Sequence, residues 1–283
     1  ADYIHSGDDC FAVGSSWNLP VDDVDITMGN FHSEKGFAIK MLQAREGASA
    51  GFSTPTSVIQ DVRFHSGSGK AGYARNGLVQ TFAAAADLLM DITIDGVKID
   101  AGTGTHDGTN PYGVYFQDIT RLRVKNLTAK NARRDAFYLK NCPGFELDGC
   151  IARDSQGTSS FRALVVEDCV GGRIIGGDYL RTLTHPVRLL GTSSVSFHGP
   201  RIRGIGNGLA GINAEGTADV SLNGVIFEKA AGATSSHGLR VGSTSVSVTA
   251  DGCIWNVDRP LQTPSAPRYA RLSKVRRPVT IAG

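Results

Sequence analysis

Two adjacent carboxylates near the start of the chain are the residues best suited to chemistry. They are Asp8 and Asp9, directly before Cys10 in the string Gly-Asp-Asp-Cys. Like charges held side by side repel each other, so a site that keeps both is expected to use them in acid–base chemistry. The alternative is that both side chains accept backbone N–H groups in a turn.

A second group of candidate residues lies in short alternating runs later in the chain. If Val114, Phe116, Phe137 and Leu139 face a core, the residues between them face outward, because side chains alternate along a strand. The outward residues are then Tyr115, Gln117, Tyr138, Lys140, Val165, Glu167, Arg188, Asn213, Glu215 and Arg240. Aromatic, anionic and cationic side chains on one flat sheet face favour a carbohydrate-binding groove.

Within this outward face we assign two roles. Residues expected to bind substrate are Tyr115, Tyr138, Lys140, Arg188 and Glu215. Glu167 is a catalytic candidate, which together with Glu215 or Asp135 would form a hydrolytic pair of carboxylates. The alternative is an ordinary solvated sheet face, since strands favour tyrosine in any case.

Composition and charge exclude several other classes of protein. The chain has 283 residues with 29 Lys+Arg and 27 Asp+Glu, so its net charge of +2 does not predict a nucleic-acid partner. It contains no apolar run of the roughly 18 residues that a membrane span requires, and no signal peptide is expected within this stretch. The 5 cysteines form no C-x-x-C pair and the histidines are scattered, so we expect buried thiols, no metal and no cofactor.

The elements that must position these residues follow from an internal repeat. From Val114 onward, the apolar runs begin 23, 27, 23, 25 and 27 residues apart. Each run is followed by a second short run, a two-residue turn signal and a third run. The turn signals are Asp95-Gly96, Asp148-Gly149, Gly176-Gly177, His198-Gly199, Asn223-Gly224 and Asp251-Gly252.

Three short strands and three turns in each repeat predict an all-β, right-handed parallel β-helix of about nine rungs. Leu139 with Val166, and Cys142 with Cys169, would then stack in adjacent rungs. The competing interpretation is an antiparallel sandwich with regular turns. Residues 82–90 could form one or two helical turns, and residues 43–57, 65–75 and 101–111 are expected to be loops inserted between rungs.

The two ends of the chain differ in character. We assign residues 1–258 to the β-helix and residues 259–283, which are basic and contain proline, to a C-terminal cap or tail. Because the chain opens almost directly on a rung, further rungs upstream or a partner chain are expected to cover that end.

The Gly-Asp-Asp-Cys string resembles a motif of the polygalacturonase family, within the pectin-lyase-like β-helix superfamily. The resemblance implies inverting glycoside hydrolysis, with Asp9 as the general acid and Asp8 as a partner base. The chain departs from the family at the next rung, where Lys35 occupies the position of a histidine and His32 lies three residues earlier. The rung after that reads Asn76-Gly77-Leu78-Val79-Gln80-Thr81, which lacks both cations of the family's Arg-x-Lys pair.

Three functions follow as hypotheses. The first is a virion or phage-like spike that binds, and in one version cleaves, a cell-surface polysaccharide, as a tailspike-like homotrimer at an extracellular or virion surface. The second is a secreted polygalacturonase-like glycoside hydrolase. The third is a β-helix without catalytic activity, used for structure or adhesion.

Overall fold

The strands of the computed structural model pair in parallel, and the part of the chain that it describes contains no helix. That part comprises residues 3–6, 10–14, 20–33, 39–43, 58–71, 79–83, 89–100, 112–132, 134–153, 162–180, 184–217, 219–242, 247–262 and 269–273. The antiparallel sandwich is therefore wrong, and the all-β right-handed parallel β-helix is confirmed.

One strand of each turn belongs to what we call the first sheet. Its seven paired strands are β11 (Val114–Gln117), β15 (Phe137–Lys140), β18 (Leu164–Glu167), β21 (Val187–Leu190), β24 (Ala210–Glu215), β27 (His237–Val241) and β30 (Arg259–Gln262). A three-stranded sheet precedes it, formed by β2 (Phe11–Gly14), β4 (Ile39–Gln43) and β7 (Val79–Ala83), with β7 beside β11. A third set is the short ladder of β5 (Ile59–Gln60), β8 (Leu89–Met90) and β12 (Ile119–Thr120).

The other two strands of each turn form the second and third sheets. The second sheet contains β9 (Thr93–Asp95), β13 (Arg123–Lys125), β16 (Glu146–Asp148), β19 (Val170–Ile175), β22 (Ser193–His198), β25 (Asp219–Asn223), β28 (Ser247–Asp251) and β31 (Tyr269–Ser273). The third contains β1 (Tyr3–Ser6), β10 (Lys98–Asp100), β14 (Thr128–Lys130), β17 (Ile151–Arg153), β20 (Asp178–Leu180), β23 (Arg201–Ile205), β26 (Ile226–Lys229) and β29 (Ile254–Asn256). Two long strands, β3 (Val24–Ser33) and β6 (Val62–Ala71), run through both sheets.

One local expectation is wrong. Residues 65–71 belong to β6 instead of a loop, because the chain turns the corner at Ser66 with a single left-handed residue and stays paired on both sides. Helical turns are also expected over residues 82–90; of these, residues 82–83 end β7 and residues 89–90 form β8, while residues 84–88 lie outside the described residues.

The corner between the second and third sheets repeats one backbone conformation. The glycines of the turn signals have positive φ, from 57° at Gly176 to 87° at Gly177, as the sequence pattern predicted. Asn126 occupies the same corner with φ 51°, and its side chain donates to Asp95 at 3.1 Å. Glycine and asparagine enter this region at little steric cost, so each turn needs only one or two such residues to bend sharply.

The core lies inside the coil and is built from stacked columns of like residues. Leu139 pairs with Val166, and the Sγ atom of Cys169 accepts the backbone N–H of Cys142 at 3.2 Å, so both predicted stacks are confirmed. All the cysteines are free thiols, and all but the half-buried Cys10 are buried. Burial raises the pKa of Cys142 and Cys150, so these thiols stay neutral and inert.

The number of turns differs from the expected count of about nine rungs. Between β11 and β30 the first sheet advances through six turns, and the earlier rungs belong to the separate sheet of β2, β4 and β7. Beyond Asp258 the ladders continue, since β30 pairs with β27 and β31 pairs with β28.

Candidate functional site

The outward face of the first sheet, which we call the first-sheet face, collects most of the predicted binding residues. Val114 and Phe116 are fully buried, so the alternation turns Tyr115 and Gln117 outward. Parallel pairing then sets Tyr115 opposite Tyr138, and Lys140 opposite Glu167. Residues separated by more than 20 positions in the chain therefore become neighbours about 4.8 Å apart.

Three aromatic rings form a tyrosine cluster on this face. The rings of Tyr115 and Tyr138 stack at 5.3 Å with an angle of 18° between their planes. Tyr112, immediately before β11, packs against both rings at 5.2 and 5.1 Å. The guanidinium of Arg134 lies 4.2 Å above the ring of Tyr112. Tyr112 is buried while Tyr115 and Tyr138 keep part of their surface exposed, so these two offer ring surface to a ligand.

A chain of hydrogen bonds holds the hydroxyl of Tyr115. The hydroxyl donates to Oε1 of Gln117 at 2.6 Å, and Nε2 of Gln117 donates to Asp118 at 2.9 Å. Asp118 also accepts from the side chain of Asn141 at 2.7 Å. Both Asp118 and Asn141 have left-handed backbone conformations, with φ of 58° and 48°. The corner that ends each first-sheet strand thus also fixes the side chain of Tyr115.

Tyr138 is held by a different partner, the carboxylate of Glu167. The hydroxyl donates to Oε2, and the ammonium of Lys140 lies 3.2 Å from Oε1. Burial alone would raise the pKa of Glu167, but the hydrogen bonds from Tyr138 and Lys140 outweigh it and hold the pKa below its ordinary value. Burial and the Glu167 hydrogen bond raise the pKa of Tyr138, so its hydroxyl stays protonated.

The following turns carry an ion-paired region on the same face. Arg188 contacts Glu215 through Nε at 3.2 Å and Nη2 at 2.5 Å, and Asn213 donates to the same carboxylate at 2.7 Å. Burial opposes ionisation of Glu215, but these hydrogen bonds outweigh it and its pKa is lowered. Although Val165 and Asn213 face outward as expected, both are almost fully buried, so the middle of the face is covered by side chains.

A layer of polar side chains covers part of the first-sheet face. Four of its residues were not grouped together by the sequence interpretation. Two residues before successive first-sheet strands stand Tyr112, Asp135, Arg162 and His185. Asp135 is buried and accepts the backbone N–H of Arg162 at 2.6 Å. Among the described residues, Nε of Arg162 and Oδ1 of Asn213 are buried without a hydrogen-bond partner. A buried polar atom without a hydrogen-bond partner costs about 1–3 kcal/mol of stability. A hydrogen-bond partner for either atom would therefore stabilise the layer.

His185 is fixed by the backbone of the next turn. Its Nδ1 lies 2.8 Å from the backbone nitrogen of Ala210 and 3.1 Å from the carbonyl oxygen of the same residue. Burial lowers the pKa of His185, so the neutral imidazole dominates at pH 7.

The remaining predicted site residues do not join this face in the part of the chain described. His32 lies on β3, where it pairs with Lys70 in the third sheet. Asp8, Asp9 and Lys35 lie outside the described residues. Across the described ranges, no group of three His, Cys, Asp or Glu side chains is arranged to hold a metal ion. Nor do those ranges contain a helix with the length and apolar character to cross a membrane.

Replacing Glu167 by glutamine should lower stability only where the native carboxyl is ionised. A pKa held below the ordinary 4.5 means that the stabilisation is present above that pH and is lost as the pH falls through the folded-state pKa. We expect a loss of about 1 kcal/mol in the free energy of unfolding at pH 7, which decreases as the pH falls through the folded-state pKa. Urea titrations across this range measure it, with Asp219→Asn on the second sheet as the control. A loss that does not change with pH would contradict the prediction.

Comparison with known proteins finds similar structures and no similar sequence. No family model matches the chain, and no curated protein matches it. Among solved structures, the A-module of the Azotobacter vinelandii mannuronan C-5 epimerase AlgE6 aligns with 98% of this chain and 90% of its own, at 12% identity and TM-score 0.45. The corresponding module of AlgE4 aligns with 95% and 90%, at 11% identity and TM-score 0.40.

A periplasmic alginate epimerase, AlgG, aligns with 91% of this chain and 73% of its own, at 12% identity and TM-score 0.35. The sequence identities and TM-scores are low, so the fold is assigned from the strand pairing of this chain itself.

Proposed function

We propose that this chain is a polysaccharide-binding β-helix and that the first-sheet face is its binding surface. The observation that carries the proposal is the tyrosine cluster, in which Tyr115 and Tyr138 present stacked, partly exposed rings on the sheet. Apolar faces of sugar rings pack against aromatic side chains, while surrounding polar groups fix their orientation. On this face the polar groups are already held in place by neighbouring turns.

The polar groups of this face suit a ligand rich in hydroxyl groups. Carboxylates and cations alternate along the sheet in the pairs Lys140–Glu167 and Arg188–Glu215. Each pair can form hydrogen bonds with sugar hydroxyls without a large change in local charge, because the cation and the carboxylate stay beside each other. A field of one sign, which would favour a highly charged polymer, does not develop over this pairing.

The proposal extends to a virion or phage-like spike that acts at an extracellular surface as a homotrimer. Small outward residues on the second sheet support side-by-side packing of rods: they include Ser196, Ser221 and Thr249, of which the last two share a hydrogen bond at 3.2 Å. Val170, on the same sheet, is 63% exposed.

Light scattering should give three times the chain mass of 29.9 kDa. A monomer would contradict the trimer and leave the binding surface to be tested separately.

The binding proposal is tested on an array of purified bacterial capsular and O-antigen polysaccharides. We expect the wild-type protein to bind one structural class of polysaccharide, with affinity that survives moderate salt. Binding to none of them would contradict the proposed function and favour the third hypothesis, a structural or adhesion β-helix. Binding that is lost at moderate salt would instead indicate non-specific charge attraction.

Glycoside hydrolysis is a second candidate function, and the state of the carboxylates limits how it would work. Hydrolysis needs one carboxylic acid with a raised pKa and one ionised carboxylate. The pKa values of Glu167 and Glu215 are both lowered. Both members of the Glu167–Glu215 pair therefore suit the role of base, and neither suits that of the acid. We propose a separate site in which Asp9 is the acid and Asp8 is the base, with His32 and Lys35 as their partners.

Asp9→Asn is expected to abolish release of reducing ends from the bound polysaccharide while leaving affinity unchanged, because an amide cannot donate the proton that the leaving group needs. A reducing-sugar assay on the polysaccharide that the array identifies measures the release. Glu167→Gln is the matched variant on the first-sheet face. If Asp9→Asn cleaves at the wild-type rate, the acid lies elsewhere in the chain.

A further inference from the structure

We infer that the tyrosine cluster selects a neutral sugar through hydroxyl groups that donate hydrogen bonds to Tyr115 and Tyr138, and that it disfavours a carboxylate at this position. The inference rests on the proposed binding function and specifies the chemistry that the cluster recognises. It follows from the direction of two hydrogen bonds, each of which is fixed by a carboxylate.

The first direction is set by Asp118. A carboxylate only accepts hydrogen bonds, so the group of Gln117 that lies 2.9 Å from Asp118 must be its NH₂. The amide oxygen of Gln117 then faces Tyr115 at 2.6 Å. An amide oxygen also only accepts, and the Tyr115 hydroxyl must therefore donate its single proton to it. Asn141 donates to the second oxygen of Asp118, which holds that carboxylate in place.

The second direction is set by Glu167. This side chain is ionised at neutral pH because the hydrogen bonds from Tyr138 and Lys140 together outweigh the effect of burial on its pKa. It has no proton to give, so the hydroxyl of Tyr138 donates to it. Burial raises the pKa of Tyr115 and Tyr138, which keeps both phenols protonated. Both hydroxyl protons are thus used inside the protein.

The two oxygens can then offer a ligand only their lone pairs. A sugar hydroxyl can donate to such an oxygen, whereas the carboxylate of a uronic acid has no proton to donate at neutral pH. A carboxylate placed there would meet two acceptor oxygens and could donate to neither. Acceptors left unpaired in a binding site discriminate against the wrong ligand.

The test uses the repeat-unit oligosaccharide of the array polysaccharide that the wild-type protein binds most tightly. Each hydroxyl in turn is replaced by fluorine, which cannot donate a hydrogen bond. Titration calorimetry then compares the wild type with Tyr115→Phe, with Tyr138→Phe and with the double variant, all of which keep the ring surface. We expect fluorination at one or two positions to weaken wild-type binding about tenfold, and to have no further effect in the phenylalanine variant that lacks the contacted oxygen.

Three results would overturn the inference. In the first, fluorination weakens the wild type and the phenylalanine variants equally at every position. In the second, no position is sensitive to fluorination. In the third, the tightest ligand places a uronate carboxylate at the position that couples to Tyr115 or Tyr138. In all three cases the array binding itself persists, so the proposed function would stand; an array without any bound polysaccharide would instead contradict both.

Discussion

Replacing Tyr115 and Tyr138 together by alanine is expected to weaken polysaccharide binding roughly 30- to 150-fold. The two stacked rings are partly exposed on the first-sheet face, where a sugar ring can pack against them. Loss of both should remove about 2–3 kcal/mol of binding free energy. Surface plasmon resonance on the immobilised polysaccharide measures the change in Kd.

The control for this variant truncates outward side chains on a different sheet. Leu180→Ala with Ile254→Ala shortens two half-buried residues of the third sheet. We expect its affinity to equal that of the wild type, and both variants should keep a cooperative thermal transition. Equal affinity in the tyrosine variant and the control would show that the first-sheet face does not bind the polysaccharide.

Gly177→Ala is expected to destabilise the protein by about 3–5 kcal/mol, far more than the same change at its neighbour. A Cβ atom on Gly177 would lie 2.4 Å from the carbonyl oxygen of Cys150 in the preceding turn, and its φ of 87° suits glycine only. The contact is with backbone, so no side chain can move aside. The expected result is a large drop in the midpoint of thermal unfolding, measured by circular dichroism.

Gly176→Ala is the matched control, one residue earlier in the same corner. Its φ is 57°, a conformation that alanine adopts at a cost of about 1–2 kcal/mol. The nearest atom to an added Cβ is the backbone nitrogen of Gly149 at 4.0 Å, so no clash adds to that cost. Equal losses at the two positions would mean that the turn adapts, and the close approach to Cys150 would then not limit it.

The sequence was sufficient to predict the regular part of this molecule. Alternation within single strands identified Tyr115 and Tyr138 as outward residues, and the interval between repeats set them in adjacent turns. The glycine turn signals predicted the left-handed corners for the same reason: both are local requirements that recur in every turn. Asn126 fills such a corner without a glycine, because a short amide side chain tolerates the same conformation.

The layer over the first-sheet face was harder to predict. The positions of Tyr112, Asp135, Arg162 and His185 depend on how each turn enters the first sheet, and turn lengths vary from one repeat to the next. The periodic pattern of hydrophobic residues does not indicate where these four side chains lie. The signal that was available is the column two residues before each first-sheet strand, where aromatic, charged and imidazole side chains follow one another.

The parallel register of the first sheet has a consequence for how ligand preference can evolve. Each turn contributes one residue to every column of the binding face, and neighbouring columns keep their register when a turn is added or removed. Duplicating one repeat in the gene would therefore lengthen the face by a single step of about 4.8 Å and leave the other contacts in place. Under the proposed function, the number of turns would set the length of polysaccharide that the first-sheet face contacts.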